Sequence, residues 1–349
     1  MKPRLCLLLF ATILSTACGS APIPEERLPG RVLVQGFVEG SFELAVLDFD
    51  SGSKTTLTNR QVISPTSFSY DSAHSRVVFS APAESGQELF LISPETEPWR
   101  VLTKGGNRFN DPRWSPDGRR LAFNSRTDEG RYEILLTAAD GTDARRLLNE
   151  SVAARDPMWS ADGTLIAALL LSTEPQNEED FTGIGIIEVS SGELTRFATN
   201  PLDHTFSTLA WSTKEPNLTF SAMRGQSLDL FMLDAEAGDT KSLADTDADE
   251  WSGVWSPDGS KLAYIASSSE NALTADVVVL DFVTSSRNIV LEDQPSISSV
   301  TWLNESTLLL GVYDLADSAT VFYALGLGHQ RMVEQGKWAG MYFDPVPLP

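Results

Sequence analysis

The stretch DPRWSPDGRRLAF, residues 111–123, contains a strand, a tight turn and a second strand within thirteen residues. The aromatic Trp114 ends the first strand. Pro116 fixes φ and Gly118 supplies a positive φ, so the chain reverses direction at Ser-Pro-Asp-Gly. The apolar RLAF that follows leaves antiparallel to the first strand. The stretch therefore predicts a β-hairpin.

This hairpin sequence recurs along the chain. Clear copies are DPMWSADGTLIAA at 156–168 and GVWSPDGSKLAYI at 253–265, and weaker copies begin at residues 67, 208 and 299. A period of this length indicates a repeat architecture. The spacings of the anchoring aromatics are 44, 45, 52, 44 and 47 residues, and these aromatics are Tyr70, Trp114, Trp159, Trp211, Trp255 and Trp302.

Each hairpin is followed by a polar loop and two further strands, as in YEILLTA at 132–138 and ARRLL at 144–148. Four hairpin-connected strands form one twisted antiparallel sheet, and such sheets arranged radially are the blades of a β-propeller. The fold class is therefore all-β. We expect the anchoring tryptophans to pack between blades. We expect Asp117, Asp162 and Asp258 to cap the backbone N–H groups of their turns.

The two ends of the chain complete the ring. RVLVQGF at 31–37, FELAVLDFDSG at 42–52 and KTTLTN at 54–59 supply three strands of a blade that lacks its innermost one. KWAGMYFDPV at 337–346 supplies an unpaired innermost strand. We predict seven blades, with the C-terminal strand joining the N-terminal blade and covering open sheet edges. Six blades remain the alternative if the N-terminal strands pack elsewhere.

The chain is strongly acidic. Its 26 basic and 48 acidic residues give a formal net charge of −22 and a pI near 4.4. This charge repels phosphate backbones and anionic membrane surfaces, so nucleic acid is excluded as an expected partner. We expect a monomer that contacts the membrane only through an N-terminal lipid.

The N-terminus predicts export. Residues 1–17 combine Lys2 and Arg4 with an apolar run, which is typical of a signal peptide. LSTAC at 14–18 resembles the lipobox of bacterial lipoproteins and predicts lipidation at Cys18, with ordinary cleavage nearby as the alternative. Residues 18–30 form a polar tether and residues 31–349 a single propeller domain. We expect the protein in the periplasm or at the cell surface, anchored to the outer membrane. Cys6 and Cys18 are the only cysteines, so the domain has no disulfide.

The repeat WSPDG, followed by LAF, resembles the TolB-type propeller repeat, which is related to WD repeats. That repeat occurs in the translocation protein TolB, in propeller domains of prolyl-oligopeptidase-like enzymes and in many bacterial lipoproteins. The resemblance covers residues 31–345 and implies the fold, whereas function depends on sites added to a fold. The resemblance is to the propeller domain of TolB alone and does not extend to the N-terminal domain of that family. The sequence contains no G-x-S-x-G pentapeptide, so we expect no serine peptidase site.

Propellers bind ligands at the central channel, which is lined by the innermost strands. Repeat position places Asp111, Arg113, Arg126, Asp156 and Trp251 at a channel mouth. This set lacks a matched acid and base, so it predicts recognition rather than catalysis. Trp251 suits an anchor for a peptide or sugar, with packing between blades as its alternative.

The sequence contains one local candidate for a metal-binding site. Asp245, Asp247 and Asp249 alternate in DTDADE and could offer oxygens to calcium, although the run lacks the Gly and distal Glu of a calcium loop. A solvated loop between blades is the alternative. We therefore expect no obligatory cofactor, and calcium is the one metal that the sequence suggests.

Two function classes fit the sequence. The first is a non-enzymatic scaffold of the bacterial cell envelope that binds a protein or peptide. The second is an enzyme working in the propeller channel, a polysaccharide lyase or glycosidase with a bound divalent ion. The second class requires several acids and a His or Arg to lie together at one mouth of the channel. No motif in the sequence indicates such a set.

Overall fold

The structure is a computed structural model that describes residues 30–58, 64–84, 86–93, 96–105, 108–149, 152–171, 181–197, 203–244, 246–268, 274–295, 297–328 and 331–348. These residues form twenty-eight β-strands. Among them, no helix has the length and apolar character needed to cross a bilayer. The all-β prediction is confirmed.

The strands form seven blades of four antiparallel strands each. The first four blades, from the innermost strand outward, are blade 1 with β28 (Met341–Leu348), β1 (Arg31–Val38), β2 (Ser41–Asp48) and β3 (Ser53–Thr56); blade 2 with β4 (Ser67–Asp71), β5 (Arg76–Ala83), β6 (Gly86–Ser93) and β7 (Thr96–Val101); blade 3 with β8 (Arg108–Trp114), β9 (Arg120–Arg126), β10 (Tyr132–Ala138) and β11 (Arg145–Arg146); and blade 4 with β12 (Ala153–Trp159), β13 (Leu165–Leu171), β14 (Phe181–Glu188) and β15 (Leu194–Phe197).

The remaining blades continue this order. They are blade 5 with β16 (Asp203–Trp211), β17 (Asn217–Arg224), β18 (Ser227–Asp234) and β19 (Thr240–Ser242); blade 6 with β20 (Ala248–Trp255), β21 (Lys261–Ser268), β22 (Thr274–Asp281) and β23 (Ser286–Pro295); and blade 7 with β24 (Ile297–Asn304), β25 (Thr307–Asp314), β26 (Ala319–Gly326) and β27 (Arg331–Ala339). One parallel pair, Gln87 with Arg108, joins the sheets of blades 2 and 3.

The hydrophobic core lies between the blades. The described residues contain seven buried clusters, and each combines side chains of two neighbouring blades. For example, Ala122 and Ile134 of blade 3 pack with Ile166 and Ile187 of blade 4. A single sheet exposes two apolar faces that only its neighbours can cover, so the blades depend on one another for burial.

An indole hydrogen bond connects successive blades from blade 3 to blade 7, at the end of the innermost strand. Trp159 Nε1 donates to the carbonyl of Arg113 at 3.0 Å, and Trp211 Nε1 donates to that of Met158 at 2.9 Å. The same bond runs from Trp255 to Ala210 at 3.3 Å and from Trp302 to Val254 at 2.9 Å. In each case the acceptor is the residue before the preceding blade's tryptophan. The expected packing of tryptophans between blades is confirmed.

The interface of blades 2 and 3 uses a different contact. Blade 2 has Tyr70 where later blades have tryptophan, and the buried Nε1 of Trp114 has no hydrogen-bond partner among the described residues. Arg76 lies over the Trp114 ring at 4.4 Å and donates to the carbonyl of Gly118 at 2.5 Å. Asp71 accepts from the same guanidinium, so it holds Arg76 in place.

The Ser-x-Asp-Gly turns are closed by their own side chains. Ser115 donates to Asp117 Oδ1 at 2.6 Å, and the same oxygen accepts from the amide of Arg119 at 3.1 Å. The turns containing Asp162 and Asp258 repeat both bonds. The Ser115 bond holds the pKa of Asp117 below its usual value. The capping role predicted for these aspartates is confirmed.

The C-terminal strand closes the ring, as predicted. β28 pairs with β1 from Leu348 opposite Arg31 to Met341 opposite Phe37. The fully buried Tyr342 donates from its hydroxyl to Glu43 at 3.0 Å. The predicted limits of this strand were wrong, because residues 337–339 belong to β27. Gly340, with φ of 105°, separates the two strands.

We expect Trp211→Phe to lower the free energy of unfolding by about 1–2 kcal/mol, because it removes the indole donor and leaves the Met158 carbonyl unpaired while retaining the aromatic ring. Chemical denaturation measures this change. Trp114→Phe is the matched control, since that buried indole N–H has no partner to lose. Equal destabilisation by the two substitutions would contradict a role for the hydrogen bond.

Candidate functional site

The innermost strands surround the central channel and carry a β-bulge three residues before the tryptophan. The ladder shifts register between Asn110 and Arg113 in β8, and between Trp251 and Val254 in β20. The bulged residues Asp111 and Ser252 have φ of 49° and 57°. A bulge removes residues from the ladder and redirects their side chains. Blades 3, 4 and 6 therefore each have one bulge residue with a positive φ outside the ladder, and these residues are Asp111, Asp156 and Ser252.

The bulge aspartates of blades 3 and 4 share one buried asparagine. Asn124 Nδ2 lies 2.9 Å from Asp111 Oδ2 and 3.3 Å from Asp156 Oδ1. Asn124 Oδ1 accepts from the amide of Asp156 at 3.0 Å. The single side chain thus connects the two blades and separates their carboxylates. Sequence analysis placed Asp111 and Asp156 near each other but missed Asn124, which lies on the second strand of its blade.

The electrostatic environment of Asp156 differs from that of a surface acid. Burial raises the pKa of Asp156, and the charge of Asp111 adds to this effect, whereas Arg155 and Arg113 oppose it. The Arg155 Nε atom lies 3.6 Å from Asp156 Oδ2, which is longer than a hydrogen bond. Positively and negatively charged side chains therefore lie close together on this side of the channel.

Arg113 belongs to the same charged side. Its guanidinium donates to the carbonyls of Phe68 and Pro112, both at 3.2 Å. It therefore binds blade 2 to blade 3, in addition to facing the channel residues. The prediction that Asp111, Arg113 and Asp156 lie together is consistent with these contacts.

A cavity with an uncharged lining lies across from these residues, as far as the described side chains show. This cavity of about 520 Å³ lies against the innermost strands of blades 4 to 7 and blade 1. The polar groups in its lining are mainly hydroxyls, including Ser252, Ser298 and Thr301, and its apolar groups include Met158 and Val346. Among the described side chains, charged groups thus lie along blades 3 and 4, and the cavity on the other side is lined by uncharged groups.

The two remaining predicted site residues lie away from this cavity. Trp251 is half-buried and packs against the cluster between blades 6 and 7, which is the alternative that the sequence left open. Arg126 ends β9, and its guanidinium lies 5.4 Å from the centre of the Tyr132 ring. Arg155 of blade 4 approaches the same ring at 5.9 Å.

The acidic run does not form a metal-binding group among the described residues, where no three His, Cys, Asp or Glu side chains converge. Asp245 lies outside those residues. Asp247 is exposed, and Asp249 Oδ1 accepts from the amide of Leu228 at 2.8 Å. Asp249 therefore ties blade 6 to blade 5.

A buried acidic pair lies where blades 5 and 6 meet, and sequence analysis missed it. Asp229 on β18 and Glu250 on β20 are both fully buried. The Thr246 hydroxyl donates to Glu250, and Arg224 Nη2 lies 2.5 Å from Asp229. Burial raises the pKa of Glu250 to about 7, and the charge of Asp229 adds to this effect.

A repeat signal was available for one member of this pair, Asp229. Glu43, Glu88 and Asp229 occupy the third strand of their blades in the sequences FEL, QEL and LDL, and all three are buried. Their partners, however, lie far from them in sequence or on other strands of the same blade, as with Lys54 of β3 on Glu43 at 2.8 Å and Arg224 of β17 on Asp229 at 2.5 Å. Burial of these acids follows from tertiary packing that the alternation of the strand does not show.

Comparison with solved structures supports the architecture. TolB from Acinetobacter baumannii superimposes with a TM-score of 0.54 at 16% identity, over 92% of this chain and 67% of that one. The chain has a TolB-like β-propeller fold. A puromycin hydrolase in complex with PGG gives a TM-score of 0.68 at 16% identity, covering 91% of this chain and 53% of that one. An oligogalacturonate lyase in complex with manganese gives 0.63 at 12% identity, covering 87% and 84%.

Sequence comparison finds similarity over a shorter part of the chain than structural comparison does. No family model matches the chain. The uncharacterized peptidase YuxL of Bacillus subtilis is 28% identical over 173 residues, which are 50% of this chain and 23% of that protein. The matched part of this chain thus covers about a quarter of the length of this relative.

We expect the stability of the propeller to fall as pH rises from about 4.5 to 7. The raised pKa keeps Glu250 protonated in the folded state, whereas the unfolded chain releases that proton near pH 4.5, so folding is penalised at higher pH. Glu250→Gln should remove most of this slope and raise the free energy of unfolding at pH 8 by about 2 kcal/mol. Denaturation of both proteins between pH 5 and 8 measures it, and parallel pH profiles would contradict it.

Proposed function

We propose that this TolB-like propeller is a non-enzymatic scaffold of the bacterial cell envelope that binds a protein or peptide segment at its central channel. The observation that carries the proposal is the cavity of about 520 Å³ against the innermost strands. Its hydroxyl and apolar lining suits an extended peptide, which offers backbone polar groups and side chains in alternation.

The bulges support peptide recognition. The register shift in β20 leaves Ser252 and Gly253 out of the ladder beside the cavity. Backbone groups outside the ladder can bond to a ligand backbone, because they are not already used between strands. No acid and base converge in the described part of the cavity lining, which favours binding over catalysis.

The proposal includes export and a lipid anchor at Cys18. The basic residues and apolar run of residues 1–17 support a signal peptide, and LSTAC supports lipidation. The propeller would then be held at the membrane by residues 18–30, and the outer membrane is its proposed location.

The alternative function is a lyase or glycosidase that works in the channel with a divalent ion. The lyase that shares this fold holds manganese, but at 12% identity this likeness concerns the fold alone. Metal analysis of the purified protein tests the alternative. A divalent ion bound in a one-to-one ratio and retained through dialysis would overturn the scaffold proposal and favour the lyase or glycosidase.

We expect a crosslinker attached inside the channel to capture one envelope protein. Ser252→Cys and Ser298→Cys introduce thiols with almost no change in size, and residues 31–349 contain no other cysteine. A benzophenone on either thiol should give a discrete crosslinked product, identified by mass spectrometry. Ser53→Cys on the exposed outer strand β3 is the control. Identical products from channel and outer positions would overturn channel binding.

We expect Cys18→Ser to move the protein from the membrane fraction to the soluble periplasmic fraction and to abolish incorporation of radiolabelled palmitate, because the substitution removes the lipidated thiol. Cys6→Ser, within the apolar run of the leader, is the matched control and should leave both unchanged. Palmitate incorporation that survives Cys18→Ser would contradict anchoring at this residue.

A further inference from the structure

The first half of β20 connects the interface of blades 5 and 6 to the wall of the channel cavity. Glu250, at the third position of this strand, is fully buried and lies opposite Ala266 of β21. Two residues further along, Ser252 and Gly253 leave the ladder and line the cavity. A displacement of the backbone at Glu250 therefore also displaces the part of the strand that forms the cavity wall.

Strand β18 of blade 5 contacts this half of β20 at several points. Asp249 accepts a hydrogen bond from a β18 amide at 2.8 Å. Asp229 of β18 is buried near Glu250, and its charge acts on that carboxyl group. The next residue, Leu230, has its Cδ1 atom 3.3 Å from the place where a Cβ atom at Gly253 would lie. The same strand of blade 5 thus contacts both the buried acid and the bulge.

The surroundings of Glu250 favour a protonated carboxyl group. The Thr246 hydroxyl donates to Oε1, and the buried Oε2 has no hydrogen-bond partner in the described part of the chain. A carboxylate loses its hydration in such a place and gains one donor in return, whereas a neutral carboxyl group is far less costly to bury. Burial and the charge of Asp229 accordingly raise the pKa of Glu250 to about 7.

The other charged groups around Glu250 leave this preference in place. Arg224 at the end of β17 lies 2.5 Å from Asp229, and Arg287 of β23 donates to the Tyr264 hydroxyl at 2.9 Å. Both arginines lower the pKa of Glu250, but by less than burial raises it. Strand β24, which also packs against β20, has no ionisable side chain. The side chains of residues 203–208 in β16 lie outside the described residues.

We propose that the protonated carboxyl group of Glu250 positions the Ser252–Gly253 bulge in the cavity wall, so that a peptide binds at the channel more tightly when this proton is present. This inference rests on the proposed function. On ionisation, the start of β20 has to move away from β18 to bring the charge to water, and the bulge moves with it. A peptide bound at the bulge holds β20 against β18 and therefore favours the protonated state. Glu250 is a positioning residue that acts through the backbone of β20.

Peptide affinity at pH 6 and pH 8 tests this role on the full-length protein in detergent. The probe is a hexapeptide library with blocked termini and without Asp, Glu, His or Cys, so that the peptides themselves do not titrate in this range. Binding should be about tenfold weaker at pH 8 than at pH 6, because one pH unit above a pKa of about 7 lowers the protonated fraction about tenfold.

Three variants assign the effect to Glu250. Glu250→Gln should bind the library equally well at both pH values, because the amide keeps the shape and the neutrality of the protonated acid. Asp247→Asn, at an exposed acid of the same segment, is the matched control and should keep the tenfold difference. Asp229→Asn should move the midpoint of the pH dependence to lower pH, because it removes a negative charge that favours protonation. This last variant tests the inference even if Glu250→Gln does not fold.

Hydrogen exchange separates positioning of the bulge from a general loss of stability. At pH 8 the amides of residues 248–254 should exchange about tenfold faster in the wild-type protein than in Glu250→Gln, for the same reason as above. The amides of β24 should exchange at equal rates in the two proteins, and at pH 6 both strands should agree. A merely structural role would change the exchange of both strands together.

Several outcomes would overturn the inference. These are equal exchange of residues 248–254 in the two proteins at pH 8, and a pH dependence of binding that survives Glu250→Gln. Library binding that is equally tight at pH 6 and pH 8 leaves the scaffold function in place and overturns the positioning role.

The crosslinking variants cover a partner that the library does not represent. If no peptide binds while a benzophenone at Ser298→Cys captures a protein, an equal yield of that product at pH 6 and pH 8 overturns the positioning role. If no peptide binds and the channel captures nothing, the proposed function is wrong and the inference fails with it.

Discussion

The hydrogen bond from an indole to the preceding blade is the contact on which blades 3 to 7 depend for their relative position. A four-stranded sheet cannot cover its own faces, so seven apolar interfaces must form in the correct register. Burial of these faces favours one register, and a donor that must meet one particular carbonyl adds a directional requirement that only one register satisfies. From Trp159 to Trp302 the acceptor is always the residue before the previous tryptophan. The bond therefore gives each of these blades the same position relative to the blade before it.

This constraint leaves the channel free to vary. The tryptophan and its acceptor lie at the end of the innermost strand, while the bulge lies three residues earlier and carries a positive φ that Asp or Ser can adopt. The fold thus restricts the backbone at the bulge and not the side chain. Blades 3 and 4 use that freedom for aspartates joined by Asn124, and blade 6 uses it for Ser252 beside an open cavity.

The sequence predicts the parts of this structure that are local and repeated. Turn chemistry and the period of the aromatics were sufficient for the blades, their number and the ring closure. The limit of the closing strand was missed, because a break at Gly340 depends on its positive φ and on a bond to Ser318 of the neighbouring turn. Asn124 and Glu250 were not found. Their partners come from other strands or blades, and one-dimensional spacing does not show such convergence.

The pairing of β1 with both β28 and β2 has a mechanical consequence. The chain enters the domain at Arg31, so a pull transmitted along the N-terminal segment acts on the long axis of β1. Hydrogen bonds flank that strand on both edges and lie across the direction of the pull, so they are strained together in shear. A strand at the edge of the sheet would have only one such ladder. A propeller of this design resists extraction of its first strand with two ladders acting in parallel, and residues 341–348 supply one of them.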